Sequence, residues 1–348
     1  MGKPMIQRVA YGTLAITTLV LLFVLDAEIA KWAGGQECGL RLRLGPGPDG
    51  WFGDLLHHGS IVPLLLLAVS LRGAVEMRRM AVAKAIRIHS TFAFVMVSLI
   101  VATPWLCASG IFGDGIAAQE GLYWPLVWLA VTVAGAGSLQ VLRGDPTDAF
   151  RDTGTTIMLV VYVGFLTSFG VMLRSGIDTP HQEGVWLLLI TVLVTKASDI
   201  GAYFVGSAIG RHKLSPGISP GKSVEGAIGG LLASAMTAVA FASAVSVLKT
   251  LHAPEGAVLF ADELTRSFRL QAAAGDSSPI LRAVIFGVAM SVAGQLGDLF
   301  ESCLKRDAGS KDSGRIMPQY GGILDLIDSP VFSMPVAWFL LTAVWHVV

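Results

Sequence analysis

Nine long apolar segments constrain the fold of this chain more than any other feature of its sequence. A helix that crosses a bilayer needs about 20 predominantly apolar residues, and each segment comes close to that length or exceeds it. The segments are residues 9–31, 56–75, 88–112, 122–142, 155–173, 185–209, 226–248, 280–304 and 329–348. With 53% hydrophobic and only 14% charged residues, the chain is too apolar for a soluble globular protein. The pattern predicts an all-α, polytopic integral membrane protein with about nine transmembrane helices.

Basic residues between the segments predict the orientation. With the N-terminus in the cytoplasm, the cytoplasmic loops carry about twice as many Lys and Arg residues as the opposite loops, as the positive-inside rule requires. Two loops dense in Lys and Gly, residues 211–225 and 305–328, then lie on the cytoplasmic side. We therefore expect a multi-pass protein of the cell (inner) membrane whose active site faces the cytoplasm. The lipid bilayer is its expected environment, and no nucleic acid is expected as a partner.

Residues 295–328 hold the densest polar chemistry of the chain. If the last part of the eighth segment is helical, Asp298, Glu301, Ser302 and Lys305 are spaced i, i+3, i+4 and i+7 and share one face. Carboxylates near the end of a membrane helix are costly, and binding of a divalent metal is a common reason for keeping them. The alternative, a solvated loop anchored by snorkelling charges, leaves these carboxylates unexplained.

The loop after this helix combines cationic side chains with glycines, and two further carboxylates follow at the end of the loop. Cations and flexible backbone N–H donors suit phosphate oxygens, because both complement concentrated negative charge. The cations are Lys305, Arg306, Lys311 and Arg315, the glycines are Gly309, Gly314, Gly321 and Gly322, and the returning carboxylates are Asp325 and Asp328.

A second polar stretch starts within the sixth segment. Lys196, Asp199 and Tyr203 form a polar stripe on an otherwise apolar helix, and an intramembrane Lys and Asp so placed are expected to face the protein interior and pair. A structural ion pair between helices is the alternative interpretation.

The loop that follows contains GxxxGKS at residues 217–223, which is one residue short of a Walker A loop and follows a membrane helix rather than a strand. We exclude a P-loop on these grounds. Ser219, Lys222 and Ser223 nevertheless precede a new helix, where an anion would gain from the helix dipole and unpaired N–H donors.

Two blocks of this sequence resemble the phosphatidate cytidylyltransferase (CDP-diacylglycerol synthase) family. One block consists of Ser302-Cys-Leu-Lys305-Arg306, Lys311-Asp312-Ser-Gly314, Pro318, Gly321-Gly322, Asp325 and Asp328, and the other runs from Asp199-x-Gly-Ala-Tyr203 through Ser219-Pro220-x-Lys222 to Glu225-Gly226. Tyr320 stands where the family has His, and Leu326 stands where it has Arg. The resemblance covers residues from about 185 to the C-terminus. We divide the chain into N-terminal membrane helices of unclear role (1–150) and a cytidylyltransferase-like catalytic region (151–348) within one continuous membrane domain.

The resemblance implies transfer of a cytidylyl group from CTP to phosphatidate, which yields CDP-diacylglycerol and pyrophosphate, with Mg²⁺ as cofactor and a homodimer as assembly. The implied catalytic residues are Asp298, Asp325, Lys305, Arg306, Lys311 and Asp312. Because both substrates are polyanions that need charge neutralisation, we expect Asp298 and Asp325 to be the metal ligands, with Glu301 and Asp328 as ligands or orienting groups. The implied substrate-binding residues are Ser219, Lys222, Ser223, Glu225, Asp199, Tyr203, Arg315, Gly321 and Gly322.

Three alternatives stay open at the level of sequence. The chain could use CTP on another membrane lipid, as a cytidylyltransferase for an isoprenoid phospholipid or as a lipid kinase. It could be an ion-coupled transporter in which Lys196, Asp199, Asp298 and Glu301 form a relay, although no pair of matching broken helices suggests an inverted repeat. It could also be a non-catalytic scaffold.

Overall fold

The computed structural model describes residues 3–35, 50–110, 122–175, 183–250, 279–314 and 321–345, and these residues are predominantly helical. The helices are α1 (Lys3–Ala33), α2 (Trp51–His57), α3 (Ile61–Ala83), α4 (Ser90–Ala108), α5 (Tyr123–Arg143), α6 (Ala149–Leu159), α7 (Leu166–Ser175), α8 (Glu183–Ile209), α9 (Val224–Thr250), α10 (Pro279–Asp307) and α11 (Leu324–Phe339). A π-helical turn, Val160–Phe165, joins α6 to α7, and a second one, Leu340–Val344, follows α11.

Eight spans among the described helices are long and apolar enough to cross a membrane. They are Gly12–Ala33, Ser90–Ala108, Tyr123–Arg143, Ala149–Ser175, Gly184–Ile209, Val224–Ala244, Ile280–Asp307 and Leu324–Val344. The remaining predicted segment, residues 56–75, corresponds to α3, whose 23 residues are long enough but carry Arg72, Glu76, Arg78 and Arg79 in their second half. The prediction of a polytopic, all-α membrane protein is confirmed.

Ion pairs gather several connecting segments at one end of the helical bundle, which we call the loop end. Lys84, just after α3, lies 2.7 Å from Asp307 at the end of α10, and Arg87 lies 2.8 Å from Asp145 in the α5–α6 connection. Arg306 donates to the carbonyl oxygen of Ile218 at 3.3 Å, which adds the α8–α9 connection. The loop end therefore unites connections that the basic residues assign to a single side of the membrane.

A buried ion pair fixes the opposite end of the bundle. Asp26 of α1 and Arg174 at the end of α7 are both fully buried, with Arg174 Nε 2.5 Å from Asp26 Oδ2. The other oxygen of Asp26 accepts the backbone N–H groups of Ile61 and Val62 at the start of α3, at 2.7 and 3.2 Å. A buried charge needs such compensation, and this one joins α1, α3 and α7.

Small residues bring α8, α9, α10 and α11 into close contact. Ser198 of α8 and Ser291 of α10 are hydrogen-bonded at 2.6 Å, and Ser234 of α9 donates to the Gly287 carbonyl oxygen of α10 at 2.7 Å. At Gly297 a Cβ atom would lie 2.3 Å from the carbonyl oxygen of Asp328, so only glycine permits this approach of α10 to α11. This approach brings the polar ends of the two helices together.

A short β-hairpin connects α8 to α9, with β1 (Lys213–Ser215) antiparallel to β2 (Ser219–Ser223). The sequence analysis expected the GxxxGKS motif at residues 217–223 to follow a membrane helix and not a strand, and this was wrong, because β1 directly precedes the motif. The expectation failed because these residues have low strand propensity, and tertiary contacts stabilise the hairpin. Ser223 Oγ accepts the Gly226 N–H at 3.1 Å and caps α9. The Glu225 carboxylate accepts the N–H groups of Arg211 and His212 before β1. An antiparallel hairpin is not a βα unit, so the exclusion of a P-loop stands.

Candidate active site

Lys222 on the hairpin forms an ion pair with Asp298 on α10. The Nζ–Oδ2 distance is 2.7 Å, and both side chains remain partly exposed, at 24% and 33%. Ser302, one turn further along α10, donates to the other oxygen of Asp298 at 3.4 Å. The pair therefore connects Lys222, which belongs to one of the two sequence blocks, with the helix on which the other block begins four residues later at Ser302.

Lys305 on α10 connects two further carboxylates. Its ammonium group contacts Glu301, which lies one turn earlier and is fully buried, and it lies 2.5 Å from Asp325 Oδ1 on α11. As predicted, Asp298, Glu301, Ser302 and Lys305 lie on one helix with contacts at i+4 spacing.

Lys196 on α8 completes this arrangement from the membrane side. It lies 3.0 Å from Asp199 and 3.9 Å from Asp328 of α11. Ser329 Oγ donates to Asp199 at 3.2 Å, so α8 and α11 share this polar contact. The predicted pairing of Lys196 with Asp199 is observed, and Asp328 is an additional neighbour.

We call these eight side chains the charged cluster: Lys196, Asp199, Lys222, Asp298, Glu301, Lys305, Asp325 and Asp328. Five carboxylates face three ammonium groups, which leaves an excess of two negative charges when all groups are ionised. Uncompensated negative charge beside a membrane is costly, so the arrangement favours binding of a cation.

The donor set of the charged cluster fits Mg²⁺. Within the described residues no three carboxylate, His or Cys side chains already form a metal cage. Mg²⁺, however, is usually bound through one or two carboxylates together with water and substrate phosphates. Asp298 and Asp325 offer this type of ligation, since each has oxygens directed to a lysine that a cation can replace.

The chain around Gly321 and Gly322 folds about the Asp325 carboxylate. Asp325 Oδ2 accepts the Ser313 N–H at 3.0 Å, the Ser313 hydroxyl at 2.7 Å and the Gly322 N–H at 2.7 Å. Gly321 has a φ of +85°, and a Cβ atom there would lie 2.4 Å from Asp325 Oδ2. Both glycines, predicted to bind substrate, are thus placed to position Asp325.

Glu76 of α3 also holds this part of the chain, and the sequence analysis missed it. It is fully buried and accepts the N–H groups of Ile323 and Leu324 at 3.1 and 2.9 Å, and it shares the single hydrogen of the Ser313 hydroxyl, 3.0 Å away, with Asp325. Arg72, one turn earlier, lies 3.6 Å away. The sequence signal was weak, because Glu76 directly follows the apolar segment 56–75, and the basic residues around it led us to assign this region to a cytoplasmic loop.

The remaining predicted residues lie around the charged cluster or apart from it. Tyr203 is 56% exposed, and its ring lies edge-on to Phe204. Ser219 pairs with Ser215 in the hairpin, and Ser223 and Glu225 have the capping contacts described above. Arg306 donates to backbone carbonyl oxygens of the hairpin and of Ser310. Lys311 and Asp312, with Ser310 and Gly314, line an open cleft of about 260 Å³. Arg315 and Tyr320 lie outside the described residues, and Leu326 is half-buried.

Comparison with known proteins assigns the chain to a family. The model of the cytidylyltransferase family matches residues 52–344, a range that includes α3 and Glu76. The phosphatidate cytidylyltransferase of Bacillus subtilis is 33% identical over 66% of this chain and 70% of that protein. The Staphylococcus haemolyticus protein of the same name is 30% identical over 82% of this chain and 92% of that protein. The Staphylococcus aureus protein of the same name is 37% identical over 56% of this chain and 60% of that protein, so this match covers less than two thirds of the relative. This chain, a multi-pass membrane protein with the charged cluster beside its loop end, belongs to the cytidylyltransferase family.

Proposed function

We propose that the protein is a CTP:phosphatidate cytidylyltransferase that makes CDP-diacylglycerol and pyrophosphate for phospholipid biosynthesis. One observation carries this proposal: residues from both blocks of the sequence signature form the charged cluster beside the loop end of a membrane bundle. The relatives named phosphatidate cytidylyltransferase support the same activity.

The cations of this region have a direct role in such a reaction. Both substrates are polyanions, so their approach requires neutralisation of charge. Lys222 and Lys305 hold carboxylates in the structure and can turn to phosphate oxygens when a substrate arrives, while Lys311 borders the open cleft. A phosphate monoester is already an anionic nucleophile near neutral pH, so the protein mainly has to position the reactants and compensate their charge.

In this proposal Asp298 and Asp325 are the ligands of Mg²⁺, and Glu301 and Asp328 orient the site from the buried side. The ion would supply positive charge to the phosphate oxygens of CTP. Asp325 is held by three hydrogen bonds from Ser313 and Gly322, which fixes one oxygen and leaves the other directed to Lys305.

The position of the charged cluster suits a lipid substrate. Its acyl chains can remain in the bilayer while its phosphate enters the cluster from the side. The excess of basic residues at the loop end supports a position of this end on the cytoplasmic side of the inner membrane. CTP is found in the cytoplasm. A homodimer is part of the proposal, and cross-linking of the purified protein in lipid nanodiscs would contradict it by yielding only monomers.

Substitution of the two proposed metal ligands tests the function. We expect Asp298→Asn and Asp325→Asn to lower turnover of CTP and phosphatidate in proteoliposomes by at least about a hundredfold. Each variant lacks one proposed ligand of the Mg²⁺ ion that would compensate phosphate charge in the transition state. Asp307→Asn is a matched control, because this carboxylate lies on the same helix but is exposed and pairs with Lys84. Chromatography of the lipid product identifies CDP-diacylglycerol. Near-normal activity of either variant would refute the metal assignment, and an inactive wild-type protein would refute the function.

A further inference from the structure

Tyr162 is a buried tyrosine whose hydroxyl has no hydrogen-bond partner within the described part of the chain. The residue is 3% exposed and lies in the π-helical turn between α6 and α7. A buried hydroxyl without a partner is unfavourable, and π-helical turns occur frequently at functional sites. The hydroxyl is therefore available to form a hydrogen bond with a bound ligand.

Two aromatic rings fix the position of Tyr162 at the edge of the charged cluster. Its ring meets Phe300 edge-on, with 5.3 Å between ring centroids, and Phe332 in the same manner at 6.0 Å. Phe300 directly precedes Glu301, and Phe332 lies one turn after Asp328. Through these two rings Tyr162 lies beside the turns of α10 and α11 that carry Glu301 and Asp328.

This position is on the membrane side of the cluster. Tyr162 follows the start of its span, Ala149–Ser175, by more than three helical turns, or about 20 Å at 1.5 Å per residue. On the loop-end side of the cluster, Lys222 of the hairpin pairs with Asp298, and Arg306 donates to the hairpin carbonyl oxygen of Ile218. A nucleotide that arrives from water meets these cations first, whereas a lipid phosphate that arrives from the bilayer passes the aromatic side.

We propose that the Tyr162 hydroxyl donates a hydrogen bond to a phosphate oxygen of the phospholipid substrate. This inference rests on the proposed function and extends it, because it distinguishes the lipid side of the site from the nucleotide side. The bound phosphate satisfies the hydroxyl, and Phe300 and Phe332 hold the phenol ring in the orientation that this bond requires.

Tyr162→Phe tests the inference, because it removes only the hydroxyl and keeps the ring contacts. A hydrogen bond to a charged acceptor predicts that kcat/KM for phosphatidate falls roughly ten- to a hundredfold, while the KM for CTP stays unchanged. The melting temperature of the ligand-free protein stays equal or rises, since an unpaired buried polar group is removed. Stabilisation of the purified protein by phosphatidate, measured against phosphatidylcholine, becomes smaller. Tyr123→Phe, which alters an exposed tyrosine on α5, is the matched control.

Three results would overturn the inference. Unchanged kinetics for phosphatidate would show that the hydroxyl does not contact the lipid. A raised KM for CTP alone would assign it to the nucleotide side, and a lower melting temperature of the ligand-free variant would show a structural role, such as a bond to buried water. Failure of the wild-type protein to turn over CTP and phosphatidate would instead contradict the proposed function, and the phosphatidate stabilisation of wild type and variant would still decide the role of Tyr162.

Discussion

Replacement of Glu76 by Gln tests whether α3 positions Asp325, the carboxylate that we propose as a metal ligand. Glu76 accepts three hydrogen bonds through two oxygens: one oxygen receives the Ile323 N–H, and the other receives the Leu324 N–H and the Ser313 hydroxyl. A Gln side chain has the same shape but only one acceptor oxygen. Its NH₂ group must therefore face at least one N–H or hydroxyl donor, whichever way the amide is turned.

The structure sets the size of the expected effect. Glu76 is fully buried, and Gln removes one or two bonds to a charged acceptor, each contributing about 1.5–3 kcal/mol. We expect a loss in the free energy of unfolding of about 2–4 kcal/mol, because contributions of neighbouring bonds do not add fully. Ser313 also donates its backbone N–H to Asp325, so its displacement shifts this carboxylate. A misplacement of about 1 Å at a catalytic group can lower the rate about a hundredfold.

Two measurements are needed on Glu76→Gln: the melting temperature in detergent and the turnover of CTP and phosphatidate in proteoliposomes. Arg79→Gln is the control, since Arg79 is exposed on the same helix. We expect both stability and kcat to fall in the Glu76 variant and neither to change in the control. A Glu76 variant that loses stability but retains full kcat would refute the argument that α3 positions Asp325. Wild-type values of both would show that the three hydrogen bonds contribute little.

Two further predictions concern single groups at the loop end. Lys222→Gln should raise the KM for CTP roughly tenfold or more, as expected for a lost charged hydrogen bond, and leave the KM for phosphatidate unchanged; equal CTP affinities would exclude a nucleotide contact by Lys222. Burial and the nearby Arg143 guanidinium lower the pKa of His89 below its ordinary value of 6.5, so the folded protein binds this proton less readily than the unfolded chain. The contribution of neutral His89 to stability is complete above pH 6.5 and is lost as the pH falls toward the folded pKa. Between pH 7.5 and about 5, the melting temperature should fall less for His89→Gln than for wild type. An equal fall of the melting temperature in both proteins would contradict this.

The contacts that the sequence predicted are those between neighbours on one helix. Lys196 and Asp199 lie three residues apart, and Lys305 and Glu301 four apart, so helical periodicity alone brings each pair together. Apolar length predicted the spans for the same reason, since it depends only on local composition.

Contacts between distant segments could not be derived in this way. Glu76 and Ser313 are separated by 237 positions, and only the packing of α3 on the start of α11 brings them together. The apolar pattern also placed the last segment at residues 329–348, whereas α11 begins at Leu324. The first turn of α11 includes Asp325, whose carboxylate accepts the Gly322 N–H just before the helix, and a rule based on hydropathy ends the segment at such a charged residue.

The pairing of the charged cluster bears directly on the proposed reaction. Beside a membrane, five carboxylates would repel one another strongly if they stood alone, and the three lysines reduce this repulsion before any substrate is bound. If Asp298 and Asp325 held a divalent cation, as proposed, Lys222 and Lys305 would lose these carboxylate partners, and their charge would become available to phosphate oxygens. Binding of the cation and binding of the polyanionic substrates should therefore favour each other. The apparent affinity for CTP should rise with Mg²⁺ in wild type, and this coupling should weaken in Lys222→Gln, because that variant has no ammonium group to transfer. Equal coupling in both proteins would mean that the exchange of partners does not occur at Asp298.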